Sequence, residues 1–302
     1  MGSEPTGRAD PRSAGRLYGV LGIPTISYLP ADDVDDSALP AGDLIQHLED
    51  DIDGWWVSTT RYDNTIEIRI YEVATVWLDT SLEFCTVRPA FDIGEAWLAF
   101  QLERHVLPIV RMMRGYAVFH AGAVRTDRGA VLLLGDGLGG KSTTTALLLA
   151  DGAGFISDDQ TAVTSAREAI GTPWLRLRLP SAALAPAGAD IHIEGDGRIV
   201  VALDSATEPV PIAGVLLLGE RSDGDTVTVE PVEGATAVTS LLGQVFCGGL
   251  VDPALIERHF MVATDLAASL PVARLSVPNG PPWPVILPQI ERWLQHYGSQ
   301  HD

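Results

Sequence analysis

Lysine is almost missing from this chain: one residue, Lys141, stands against nineteen arginines in 302 positions. Positive charge as a whole is scarce, with 20 Lys and Arg against 40 Asp and Glu and a formal net charge of -20. That balance argues against a nucleic-acid partner, because a phosphate backbone is gripped by a Lys/Arg patch. Cysteine is scarce too. Cys85 and Cys247 lie far apart in no metal spacing and read as two reduced core thiols of a cytoplasmic protein. No run of about 18 apolar residues is present, so no membrane span is expected. The first residues, "MGSEPTGRADPRSAGR", lack the apolar stretch of a secretory signal and read as a disordered arm over 1–15.

What the chain does have is strand pattern, then glycine. "GWWVSTT", "TIEIRIY" and "ATVWLDT" read as strands, with "YDNT" as a turn and another strand over Phe84–Val87. Ile66, Ile68 and Ile70 share one face, which leaves Glu67 and Arg69 on the open one. The nine carboxylates of Ala31 to Asp53 read as a solvated face plus loops, or as a docking surface for a basic partner. A long helix is expected from Ile93 to Arg114, with Asp92 as N-cap, Glu95 completing a capping box and Pro108 as a kink or break. Residues 16–114 thus form a smaller β-rich α+β lobe, and residues 115–302 an α/β domain. In the latter, "YAVFHAGAV" reads as one strand, "RTDRG" as a hairpin turn and "AVLLLG" as a buried strand.

The sole lysine falls where its geometry matters. Gly135, Asp136, Gly137, Leu138, Gly139, Gly140, Lys141 and Ser142 fit G-x-x-x-x-G-K-[ST], with a buried strand before and a helix after. Glycines let main-chain N–H groups turn inward around phosphate oxygens, and the helix N-terminus adds unsatisfied donors. A lysine ammonium is compact on a flexible stem; a guanidinium is broader and differently shaped. Ser142 offers a hydroxyl to Mg²⁺, and Thr143 follows at the helix start. The next strand, "GAGFISDD", ends in Asp158 and Asp159. There a carboxylate can hold a metal or orient a hydroxyl, or simply form an acidic turn. His120 sits on the strand before the hairpin, next to where Gly135 must fall. It reads either as a site residue or as a satisfied core histidine.

"FHAGAV", "GDGLGGKST" and "ISDD", in this order and spacing, resemble the kinase domain of bacterial HPr kinase/phosphorylase. They resemble still more the HPr-kinase-like proteins found beside peptide natural-product clusters, lasso-peptide kinases among them. The resemblance covers Tyr116 to Val163 best and implies the P-loop fold shared with ATP-dependent phosphoenolpyruvate carboxykinase, built on a mixed sheet. It implies that residues 135–143 hold ATP and that Lys141 meets the β/γ-phosphates. Ser142 would hold Mg²⁺, Asp158 would be the base, Asp159 a metal-side or supporting carboxylate, and His120 would tune the base. A homo-oligomer is left open. The later glycine- and glutamate-containing signature of the bifunctional enzymes is not found. "TPWLRLRLP" occupies that region, with Arg176 and Arg178 on one strand face, so phosphorylase activity and HPr itself are not carried over.

The expected function is therefore an ATP- and Mg²⁺-dependent kinase acting on a hydroxyl, foremost a Ser or Thr of a peptide or protein. A kinase of a small-metabolite hydroxyl is the alternative, and a non-catalytic nucleotide-binding sensor is the alternative from another class.

Overall fold

The computed structural model describes residues 21, 23–29, 42–49, 56–91, 94–136, 139–186, 191–193, 198–203, 208–219, 226–245, 249–278 and 284–301. The 1–15 arm, Asp92, Ile93, Gly137, Leu138 and Cys247 lie outside them. The chain divides into two compact units, Met1–Met113 with Gly248–Pro253, and Arg114–Cys247 with Ala254–Asp302.

In the first unit the described strands are β1 (Thr25–Tyr28), β2 (Asp43–Glu49), β3 (Trp56–Arg61), β4 (Thr65–Ile70), β5 (Ala74–Asp79) and β6 (Phe84–Pro89). They form one sheet in the order β1-β6-β5-β4-β3-β2, antiparallel except for the β1–β6 pair. Ile66, Ile68, Ile70, Val76, Leu78 and Val87 bury one face, as period-2 alternation requires. Of the acidic segment Ala31 to Asp53 only residues 42–49 are described; Asp43 and Glu49 are exposed there, as a solvated face requires, but the stretch is the strand β2 rather than loop. Ile45 and Gln46 are buried there, and pairing with β3 outweighs the acidic composition.

Glu67 is a second correction. It belongs to the non-core face yet is only 3% exposed. Its register partner across the ladder is Trp77, whose Nε1 donates to Oε2 at 3.0 Å, while Arg69 Nε donates to Oε1 at 2.6 Å. Arg88 lies over the Trp77 ring at 4.9 Å. Cross-strand neighbours thus cover a carboxylate that alternation alone would leave in water. It lines, with Trp56, Tyr62 and Arg69, a shallow cleft of about 580 Å³.

The long helix is two helices, α1 (Glu95–His105) and α2 (Leu107–Met113). Pro108 falls in the first turn of α2, where its missing N–H costs nothing, and α1 ends at Val106. The N-cap of α1 is Gly94, without a side-chain cap, rather than Asp92.

The second unit opens with β7 (Ala117–Phe119), β8 (Ala121–Thr126) and β9 (Gly129–Leu134), followed by α3 (Lys141–Ala150). Next come β10 (Gly154–Ser157), β11 (Thr161–Val163), β12 (Glu168–Ile170), β13 (Trp174–Leu177), β14 (Ile191–Ile193), β15 (Ile199–Ala202), β16 (Val210–Leu218) and β17 (Thr228–Pro231). Then come α4 (Gly234–Leu242), α5 (Pro253–Ser269), β18 (Val272–Ser276) and α6 (Leu287–His301). The described residues hold a nine-stranded mixed sheet, ordered β10-β8-β9-β16-β12-β11-β7, with β18 on β16 and β17 on β18. A small sheet, β13-β15-β14, stands apart. The whole is a mixed α/β fold.

Strand β9 explains the apolar run that precedes the glycines. Leu132 and Leu134 point into a core shared with Leu241 of α4 and Leu266 of α5. Val131 and Leu133 point the other way, into a core with Leu147 and Leu148 of α3 and Leu294 of α6. A strand covered on both faces carries no polar alternation. Helix α3 is itself enclosed, since Ala146 joins Leu175, Leu177 and Val201 of the small sheet.

Removing the covered carboxylate tests this account of the first unit. Glu67→Ala is expected to lower its stability by about 2–3 kcal/mol, because Arg69 and the Trp77 N–H lose their acceptor. Chemical denaturation followed by tryptophan fluorescence measures it, and Glu67→Gln is expected to cost less.

Candidate functional site

The glycine-rich segment joins the end of β9 to the start of α3. Gly139 N–H closes a turn on the Asp136 carbonyl at 2.9 Å. A Cβ on Gly139 would stand 2.9 Å from that same oxygen, too close for any side chain. Gly140, the N-cap of α3, has φ +83°, a left-handed conformation that only glycine takes freely. The motif's glycines at these positions therefore have a steric cause. Gly135 and Asp136 carry the carbonyls that the lysine uses, and Gly137 and Leu138 lie outside the described residues.

Lys141 is 7% exposed. Its Nζ donates to the Gly135 carbonyl at 2.5 Å and to the Asp136 carbonyl at 3.2 Å, so the ammonium sits across the mouth of its own loop. Burial lowers its pKa, and Asp159, Asp158 and Asp136 oppose that shift in decreasing order. Thr143 turns elsewhere: its hydroxyl shares a 2.9 Å hydrogen bond with Ser181, in the 3₁₀ turn Leu179–Leu184.

Asp158 follows β10 and is 1% exposed. Its Oδ2 accepts the main-chain N–H of Arg176 at 2.9 Å. Burial drives its pKa up to about 6; the neighbouring Asp159 adds to the rise, while the Arg176 N–H, the Ser142 hydroxyl and the Arg176 charge resist it. Although that hydroxyl is close enough to favour the carboxylate, Oδ1 accepts no hydrogen bond of normal geometry. A buried carboxylate oxygen without a well-formed hydrogen bond, beside a serine hydroxyl, is an arrangement that a hard cation satisfies. Among the described residues no group of three or more His, Cys, Asp or Glu could hold a metal alone. Ser142 and Asp158 alone could supply only part of a cation's coordination, so this is not a closed protein cage.

Asp159 is more open, and its Oδ1 lies 3.1 Å from His120 Nδ1. His120 does not lie inside one strand, as the sequence implied. The stretch splits into β7, paired with β11, and β8, paired with β9 and β10, and His120 occupies the break. The hairpin register pairs Ala121 with Leu134, so His120 and Gly135 are the next positions on the two strands. The expected Arg176/Arg178 pair does not form one strand face: β13 ends at Leu177, Arg176 is buried, and Arg178 is exposed beyond it.

Two residues at this end carried no motif. Gln244, just past α4, donates from Nε2 to Asp136 Oδ1 at 3.1 Å and accepts the His120 N–H on its carbonyl at 2.7 Å. His259 of α5, fully enclosed, accepts the Val118 N–H on Nε2 at 3.0 Å. Its Nδ1 must then carry the proton donated to the Leu255 carbonyl at 2.7 Å, and burial lowers its pKa. A lone Gln after a helix and a His on an apolar helix face offer no spacing to find them by.

No family model matches the chain, and no curated protein matches it in sequence.

The raised pKa of Asp158 has a stability consequence. The folded chain holds this proton more tightly than the unfolded one, so the contribution is favourable below pH 3.8 and is lost as pH rises through about 6. Asp158→Asn is therefore expected to stabilise the ligand-free protein at pH 8 by at most about 3 kcal/mol, and by less at pH 5. Thermal melts at the two pH values check the sign.

Proposed function

We propose that the chain is an ATP- and Mg²⁺-dependent kinase that transfers the γ-phosphoryl group to a hydroxyl, foremost a Ser or Thr of a peptide or protein. The observation carrying this reading is the convergence at one end of β8, β9 and β10. A buried lysine lies over glycine-loop carbonyls, with Ser142, Asp158 and the Asp159–His120 pair adjoining. We infer the HPr-kinase-like P-loop fold on the same ground. The short hairpin, mixed sheet and loop-to-helix junction accord with the motifs "FHAGAV", "GDGLGGKST" and "ISDD".

In this reading the main-chain N–H groups at the start of α3 and the Lys141 ammonium bind the phosphates. Mg²⁺, when bound, neutralises phosphate charge, and Ser142 and Asp158 would hold it. The burial of Asp158 and its closeness to Ser142 favour the metal side for it. The more open Asp159, paired with His120, then faces the acceptor and can take the hydroxyl proton, with the imidazole fixing its orientation. That division reverses the one drawn from the family resemblance, and it rests on exposure: 1% for Asp158 against 26% for the Asp159 side chain. Positioning and charge neutralisation carry most of phosphoryl transfer, so little further chemistry is required of the protein.

An acceptor screen with labelled ATP and mass-spectrometric detection of a phosphate-sized gain tests the activity. Lys141→Ala is expected to reduce transfer by about 100-fold or more with the fold retained. Asp159→Asn is expected to abolish turnover while Mg·ATP still binds, whereas Asp158→Asn weakens Mg·ATP binding itself. Nucleotide binding without transfer to any acceptor would favour a sensor.

A further inference from the structure

We propose that Gln244 is a positioning residue for the nucleotide, an inference that rests on reading residues 135–142 as a phosphate loop. Its side chain and main chain each hold a different part of the site. The amide Nε2 donates to the Asp136 carboxylate at 3.1 Å. The carbonyl receives the His120 N–H at 2.7 Å. Val245 then bridges to Phe119, so the segment lies against the end of β7.

Asp136 is the residue that gives this tie its effect. Its carbonyl accepts both the Gly139 N–H that closes the turn and one of the two loop hydrogen bonds of Lys141. Fixing the Asp136 side chain therefore fixes the seat of the ammonium. The carboxylate is also a liability at the mouth of a polyanion site, because a free negative charge there repels phosphate. An amide donor restrains it and offsets part of its charge, as a carboxylate or hydrophobic side chain at 244 could not.

Isothermal calorimetry with Mg·ATP and hydrogen exchange of the 135–140 amides, both on the full chain, test the assignment without knowledge of the acceptor. Gln244→Ala is expected to weaken Mg·ATP binding by about 10-fold and to speed exchange at Gly139, with the melting temperature little changed. Gln244→Glu is expected to weaken binding further, since two carboxylates then face each other. Adding Asp136→Asn to Gln244→Glu reverses the polarity of the hydrogen bond and is expected to recover much of the loss. Unchanged affinity and unchanged Gly139 exchange in Gln244→Ala overturn the proposal, as does a double variant no better than Gln244→Glu. A wild-type chain that binds no Mg·ATP overturns this and the phosphate-loop reading together. Binding sensitive to Gln244 without any phosphoryl transfer sinks the kinase alone.

Discussion

The Lys141 ammonium, set against the carbonyls of its own loop, is the interaction on which the rest of the second unit depends. The ammonium of a lysine that is only 7% exposed is costly to desolvate, and it is tolerable only where dipoles and opposite charge replace water. Two loop carbonyls and the carboxylates of Asp159, Asp158 and Asp136 do so. The compensation requires the chain to turn tightly around the nitrogen, hence the glycines. It also requires a turn held at both ends, hence a strand covered on both faces before it and a helix enclosed by two sheets after it. An arginine is too broad for this seat, which accounts for the one lysine in a chain that otherwise uses arginine throughout.

The charge balance around that ammonium makes a divalent cation part of the proposed reading rather than an addition to it. Asp136, Asp158 and Asp159 bring three carboxylates to the neighbourhood of one lysine. A bare triphosphate would meet net repulsion there. A cation at Ser142 and Asp158 would remove it and complete the coordination of Oδ1, which accepts no hydrogen bond of normal geometry within the protein. The raised pKa of Asp158 has its own local cause: burial and a like-charged neighbour both oppose its ionisation. Buried ionisable groups of this kind cost stability, and that cost is concentrated at the end of β9 and β10 where the proposed site lies.

The sequence shows most clearly what local rules determine. The loop, the helix after it and the paired aspartates were legible because strand, glycines, lysine and helix follow one another along the chain. The first unit's hairpins were legible through period-2 alternation. What escaped was set by tertiary contact. Glu67 obeys the alternation and is still buried, because Trp77 and Arg69 reach over it from positions that only the register defines. The strand β2 hides in acidic composition, since pairing with β3, not charge, decides its conformation. Pro108 signalled a break but not that α2 would begin just before it, where proline is at home. Gln244 stands 108 residues from its partner Asp136, and nothing in the intervening sequence couples them.

The break at His120 shows how a fold can present one side chain without disorder. In a continuous strand, residues 117–124 would satisfy their main-chain groups in ladders on both sides. Here β7 and β8 part company toward different neighbours, and main-chain groups at the break and beside it must find other partners. Each does so with a specific group: Val118 N–H meets the His259 imidazole, His120 N–H meets the Gln244 carbonyl, and the Ala121 carbonyl meets the Thr161 hydroxyl at 2.8 Å. With these donors and acceptors satisfied from three separate elements, the strand can split at a single residue and hold it in place. The side chain released by that split is the one that meets Asp159, so the irregularity in the sheet and the pair beside the glycine loop have one cause.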